Sequence, residues 1–210
     1  SVIAYDIDPE ALKSASSNGA IPANSLSDLV IQLALPRVIW IMLPSGNPTE
    51  ETITSLANLL KKGDTIIDGG NSNYIDSLRR SHQLNKRGLY LIDVGTSGGI
   101  WGAKEGFSLM IGGDYQAFRK IQPIFKALAP RINKGYGYVG PSGAGHFTKM
   151  IHNGIEYGLM QAYSEGFEIM KAKKEFDLDL YQVAEIWSYG SVIRSWLLEL
   201  TANLLKNDQE

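Results

Sequence analysis

The sequence predicts an α/β chain, with a doubly wound, parallel-sheet domain over residues 1–140 and an all-α domain over 141–210. Three observations predict it. Short strand candidates alternate with helix candidates through about the first 140 residues. The strands are apolar on both faces, which implies a parallel sheet covered by helices on both sides. From Ser142 onward no strand pattern appears, and a long helical run begins.

The strand candidates are VIAYD (Val2 to Asp6), RVIWIML (Arg37 to Leu43), DTIIDGG (Asp64 to Gly70), LYLIDV (Leu89 to Val94) and FSLMIGG (Phe107 to Gly113). Each is short, rich in β-branched or aromatic residues, and closes on or beside Gly, Pro or Asp. Pro9 to Asn18 reads as a helix because Pro suits the first turn and Gly19 stops it. Thr49 to Lys62 opens with acidic residues and ends in two lysines, which complements the helix dipole. Tyr74 to Arg87 stops before Gly88, and Asp114 to Leu128 has apolar residues at helical spacing. Ser142 to Lys174, Asp179 to Tyr189 and Val192 to Lys206 are the later helices. The first would run about 50 Å unbroken and form the spine of the second domain. The turn-rich GYGYVGPSGAG puts the domain boundary near Gly140 and Pro141.

With 44% hydrophobic residues the chain can bury a core, and a formal net charge of -2 gives no reason to expect nucleic acid or an acidic membrane surface. The absence of cysteine excludes disulfides and thiolate chemistry, and fits a reducing, cytoplasmic compartment. No apolar run approaches the roughly 20 residues a membrane helix needs. The first residues lack the marks of a signal peptide.

Gly135, Gly137 and Gly140 satisfy G-x-G-x-x-G, but the context is wrong for a phosphate loop. APRINK is a poor strand, and Pro141 interrupts the link to a helix, so an inter-domain turn is expected. The cofactor signal lies at the other end. VIAYDIDPEAL has the form of a second strand whose terminal acid, Asp6, bonds the adenine ribose; its partner strand and glycine loop would then precede Ser1, leaving this domain without its first strand. The other reading of Asp6 is a turn residue capping the next helix.

Two segments carry candidate chemistry. In KMIHNGIE, Lys149, His152, Asn153 and Glu156 stand at i, i+3, i+4 and i+7 and share one helical face. Each alone has a bland explanation as a solvated or pairing residue. Gly154, Gly158 and Gly166 on the same helix each cost about 1 kcal/mol against alanine, so close approach to the backbone is expected there. In DVGTSGGIWGAKEG, Ser97 and the glycines beyond it follow a strand, at the carboxyl end where open α/β sheets bind ligands.

These segments resemble the 6-phosphogluconate dehydrogenases of the β-hydroxyacid dehydrogenase family. The likeness rests on IIDGGNSNY (Ile66 to Tyr74), VGTSGGIWGAKEGFSLMIGG (Val94 to Gly113), GAGHFTKMIHNGIEYGLMQAYSEG (Gly143 to Gly166) and SWLLELTANLL (Ser195 to Leu205). K-x-x-H-N-G-x-E-Y is the most specific part, since relatives acting on 3-hydroxyisobutyrate typically carry an asparagine pair after the lysine. The resemblance implies a Rossmann-like cofactor domain and oxidative decarboxylation of 6-phosphogluconate. Lys149 would be the base and Glu156 the acid. Asn71, Ser97, Gly98, Gly99, His152, Asn153 and Tyr157 would bind substrate. Asp6, Leu43, Pro44 and Asn71 would contact the cofactor, with no metal required.

NAD is expected over NADP, because Asp6 and Asp8 place carboxylates where a 2′-phosphate would sit and no arginine follows the strand tip. Ile100, Trp101 and Gly102 suggest the shorter bacterial branch. The LPSGNP segment (Leu43 to Pro48) departs from longer members, which often have a lysine there. Against the family pattern the chain reads as truncated at both ends, and self-association as a homodimer or homotetramer through the helical domain is expected. The competing readings are a 3-hydroxyisobutyrate-type dehydrogenase and a non-catalytic assembly module.

Overall fold

Strands β4 (Thr65–Asp68) and β5 (Tyr90–Ser97) are buried on both faces, and the main sheet grows outward from them. The computed structural model describes residues 1–207. The sheet order is β3 (Val38–Ile41), β4, β5, β6 (Ser108–Gly113), β7 (Tyr136–Gly140). Successive side chains alternate between its faces. Ile39, Ile41, Ile66 and Leu91 therefore join one core with Leu56 of α3 (Asn47–Leu59) and Leu84 of α4 (Tyr74–Asn85). Ile67, Ile92 and Val94 join the other, against Phe118 and Phe125 of α6 (Tyr115–Leu128). Helices thus cover both faces, as expected for a doubly wound domain.

Pairing departs from the all-parallel expectation at one place: β5 and β6 are antiparallel. Their connection holds only a 3-10 turn and the short α5 (Gly102–Glu105), and a parallel crossover needs a dozen or more residues. The segment read as an inter-domain turn is in fact β7, paired parallel to β6. Gly137 and Gly140 therefore belong to a strand, with Gly135 just before it. The glycines and half-buried position of β7 concealed it from an apolar pattern.

At the other end, β1 (Ile3–Ala4) and β2 (Ile21–Pro22) form their own parallel pair around α1 (Pro9–Ser17). The unpredicted β2 is too short to pattern, as is α2 (Leu26–Gln32), whose N-cap Ser25 accepts from the Asp28 amide.

The chain divides into two compact units, Ser1–Met150 and Ile151–Glu210. The long helix α7 (Ala144–Ala172) begins in the first and continues into the second. Within the second unit, Phe167, Ala184, Leu198 and Ala202 form a small core with α8 (Leu180–Ser188) and α9 (Trp196–Asn207). The last helix starts later than expected, because Ser195 accepts from the Leu198 amide at 3.1 Å and so caps it.

Candidate active site

The carboxyl ends of β3, β4 and β5 form one edge of the first unit. Leu43 and Pro44 follow β3, and a Cβ on Gly70 would stand 2.6 Å from the Leu43 carbonyl oxygen, so only glycine lets the turn after β4 pass there. Asn71 follows that turn and is exposed. Thr96 Oγ1 donates to the Gly69 carbonyl at 3.3 Å, tying the end of β5 to the same turn.

Buried charge holds this turn. The Asp68 carboxylate, wholly inaccessible, accepts from the Gly70 amide at 3.2 Å and from Arg80 Nη1 at 3.4 Å. Arg80, also buried, donates from Nε to Glu50 at 2.8 Å. Glu50 is forked by Arg79 as well, at 2.7 and 2.8 Å. The hydrogen bonds from Arg79, with support from Arg80, hold the Glu50 carboxyl at about 2, well below the usual range.

Ser97 closes β5, opposite Ser108. Gly98 and Gly99 then turn the chain with φ of +141° and +51°, conformations that L side chains rarely adopt. The amides and hydroxyl of this loop lie at the sheet's carboxyl edge.

Helix α7 begins on the same strand. Asp93, fully buried in β5, accepts from the Gly143 amide at 2.7 Å and the His146 amide at 3.0 Å. A carboxylate there satisfies orphan amides and complements the helix dipole. His146 is buried, with Nδ1 2.7 Å from Ser77 Oγ. At Gly145 any side chain would collide with the Asp93 and Met110 carbonyls, so helix and strand backbones touch. One turn on, Lys149 packs on Gly95, where a Cβ would stand 2.5 Å from the lysine Cβ. Gly95 and Ser97 share a strand face, about 7 Å apart. The half-buried Lys149 is thus brought to the Ser97 edge, in the same unit as Asn71.

Further along α7, in the second unit, His152 Nδ1 is 3.6 Å from Glu156 Oε2 and 3.3 Å from Asn153 Oδ1. These groups form one polar cluster, with the His152 and Glu156 side chains about two-fifths exposed. Tyr157 is 70% exposed. Around Gly154, Gly158 and Gly166 no atom from beyond the adjoining helix backbone lies within 4 Å of where a Cβ would be, so the close approach expected there is not made among the described residues.

Asp6 lies two residues beyond β1 and accepts from the Asp8 amide at 2.9 Å, while Asp8 itself caps α1 through the Glu10 amide. The capping duty thus falls on Asp8, and Asp6 stands exposed at the strand tip. Among the described residues no acidic or histidine cluster could hold a metal, and no helix is long and apolar enough to cross a membrane.

Asp68, Arg80, Asp93, Gly95 and Gly145 were not singled out from the sequence. The available signal was an aspartate inside or at the end of two otherwise apolar strands, each of which must find partners when buried.

Residues 1–140 match the family model for the NAD binding domain of 6-phosphogluconate dehydrogenase, and residues 145–210 match the model for that enzyme's C-terminal domain. The chain is 46% identical over 207 residues to the NAD(+)-dependent, decarboxylating 6-phosphogluconate dehydrogenase of Haloferax volcanii, covering 99% of this chain and 68% of that protein. It is 38% identical to the NAD(+)-dependent, decarboxylating enzyme of Bacillus subtilis, covering 98% of this chain but 44% of that one. Among solved structures, Plasmodium falciparum 6-phosphogluconate dehydrogenase, determined in apo form, with its cofactor NADP+ and with its substrate 6-phosphogluconate, superposes with a TM-score of 0.84. The identity there is 34%, over 93% of this chain and 43% of that one. Two domain models in the right order, with these identities across nearly the whole chain, establish that it belongs to the 6-phosphogluconate dehydrogenase family.

Proposed function

We propose that this chain carries the cofactor-side and central substrate residues of an enzyme that converts 6-phosphogluconate to ribulose 5-phosphate and CO2, with NAD as electron acceptor. The observation that carries the reading is the seating of Lys149 on Gly95, beside the Ser97 loop and on the edge that holds Asn71.

Oxidation at C3 needs a base for the C3 hydroxyl proton, and Lys149 in its neutral form takes that proton. NAD, when bound, supplies the acceptor for the C3 hydride. The resulting β-keto acid loses its C1 as CO2, the enediolate left behind takes a proton at oxygen back from Lys149, and Glu156 gives a proton to the former C2, which becomes C1 of ribulose 5-phosphate. Ser97, the Gly98 and Gly99 amides, His152 and Asn153 would hold hydroxyl and carboxylate oxygens of the substrate, Tyr157 would contact its phosphate, and Asn71 would serve both substrate and cofactor. The residues present suit the cofactor. Gly70 leaves room at Leu43 for a tight turn under Asn71, and the exposed Asp6 supplies a carboxylate for ribose hydroxyls. That carboxylate repels a 2′-phosphate, which favours NAD over NADP.

Assembly as a homodimer or homotetramer through the helical unit is supported by its exposed apolar residues, among them Ile155, Ile186 and Leu204. A cytoplasmic location is the reading supported by the family and by the lack of cysteine.

The test is turnover of the full-length protein. Lys149→Met and Glu156→Gln should each lower NADH formation and CO2 release from 6-phosphogluconate by about 10²–10⁴-fold with the fold intact. Normal rates in both variants, or NADH without CO2 and faster turnover of 3-hydroxyisobutyrate, would overturn the reading.

A further inference from the structure

We infer that Asp93, Gly95 and Gly145 are positioning residues that set where Lys149 presents its amine, an assignment that rests on the lysine being the base proposed above. Three contacts fix α7 along and against β5 within fewer than two helical turns. The buried Asp93 carboxylate takes the amides of Gly143 and His146, which sets the helix start. Gly145 brings helix backbone against the Asp93 and Met110 carbonyls, which sets its distance from the sheet. Four residues on, and so about 6 Å along the axis, the Lys149 stem rests on Gly95.

Capping alone would not require this arrangement. An aspartate can cap an exposed helix start, and most helices keep their backbones apart by the width of a side chain. Here the cap, the backbone contact and the lysine follow one another along α7, and neither Gly145 nor Gly95 tolerates an added atom. A methyl group on Gly95 would stand 2.5 Å from Lys149 Cβ and 2.7 Å from the Gly145 carbonyl oxygen. Carbon atoms rest about 3.5–4.0 Å apart, so the helix would have to retreat by about 1 Å or more. A displacement of that size in a reacting group can cost about 10²-fold in rate.

Gly95→Ala in the full-length enzyme tests this directly. The expected result is a kcat lowered about 100-fold, with KM for 6-phosphogluconate and NAD changed less than about threefold. Against a Lys149→Met background, the same substitution should add less than about threefold, because the group it displaces is already gone. Asp93→Asn, which keeps the side chain's size but not its charge, is the second variant and covers a Gly95→Ala protein that does not fold. It should lower kcat about tenfold at constant KM. An unchanged kcat, or a parallel rise in KM with full additivity on Lys149→Met, would overturn the positioning role. Full activity of Lys149→Met alone would instead overturn the assignment of the base.

Discussion

Replacing Arg80 by methionine removes a buried cation from between two carboxylates. Its guanidinium is 2% exposed, donates to Glu50 at 2.8 Å, and is the cationic partner of Asp68, which is fully buried. Methionine keeps most of the volume, so the cost comes from charge rather than from a cavity. Asp68 would retain the Gly70 amide at 3.2 Å but lose its counter-charge. Stranding one member of a buried ion pair costs about 3–5 kcal/mol. For a unit of this size each kcal/mol moves the midpoint about 2–4 °C, so thermal unfolding should begin roughly 6–20 °C lower. Arg80→Met/Asp68→Asn, which removes both charges, should recover part of that loss. Differential scanning calorimetry on the three proteins reads it out. A midpoint within about 2 °C of wild type for Arg80→Met would refute the view that Asp68 depends on this arginine, as would a double variant no better than the single one.

Two further outcomes follow from the charges. The Glu50 carboxyl is lowered to about 2 by Arg79 and Arg80, so it contributes stability in full above its ordinary value of 4.5 and loses it as pH falls towards 2. Solvent reaches 34% of the side chain, which reduces the contribution to roughly 1 kcal/mol. Glu50→Gln should therefore flatten the stability profile between about pH 4.5 and 2, and unfolding curves of the same slope in both proteins would contradict this. Asp6→Asn keeps the acceptor used by the Asp8 amide but removes the charge at the strand tip. Charge repulsion of about 1–4 kcal/mol at contact distance predicts an NADP-to-NAD ratio of kcat/KM at least fivefold higher, and an unchanged ratio would remove Asp6 from the ribose site.

The central strands were legible because burial on both faces leaves a mainly apolar run, as in TIID and YLIDV, and their helices announced themselves through apolar spacing, as in Asp114 to Leu128, and stops such as Gly88. The strand Tyr136–Gly140 was not, since four of its five residues are half-buried and two are glycine, which imitates a turn. The antiparallel β5–β6 pair was hidden for another reason. Direction depends on the length of the connection, not on the strand's own pattern. Lys149 and the Ser97 loop were visible as chemistry. Asp93 was visible only as one polar residue in an apolar strand.

Sequence by itself determined the family, the alternation of strands and helices, and the order of polar groups along α7, because periodicity and motif spacing are properties of the chain. Tertiary structure alone decided that Gly95 and Lys149, 54 residues apart, would touch, and that the carboxylate of Asp93 would be spent on the amides of Gly143 and His146. Such contacts arise when a helix is laid on a strand, and the depth at which it comes to rest is set by atoms that no local pattern brings together.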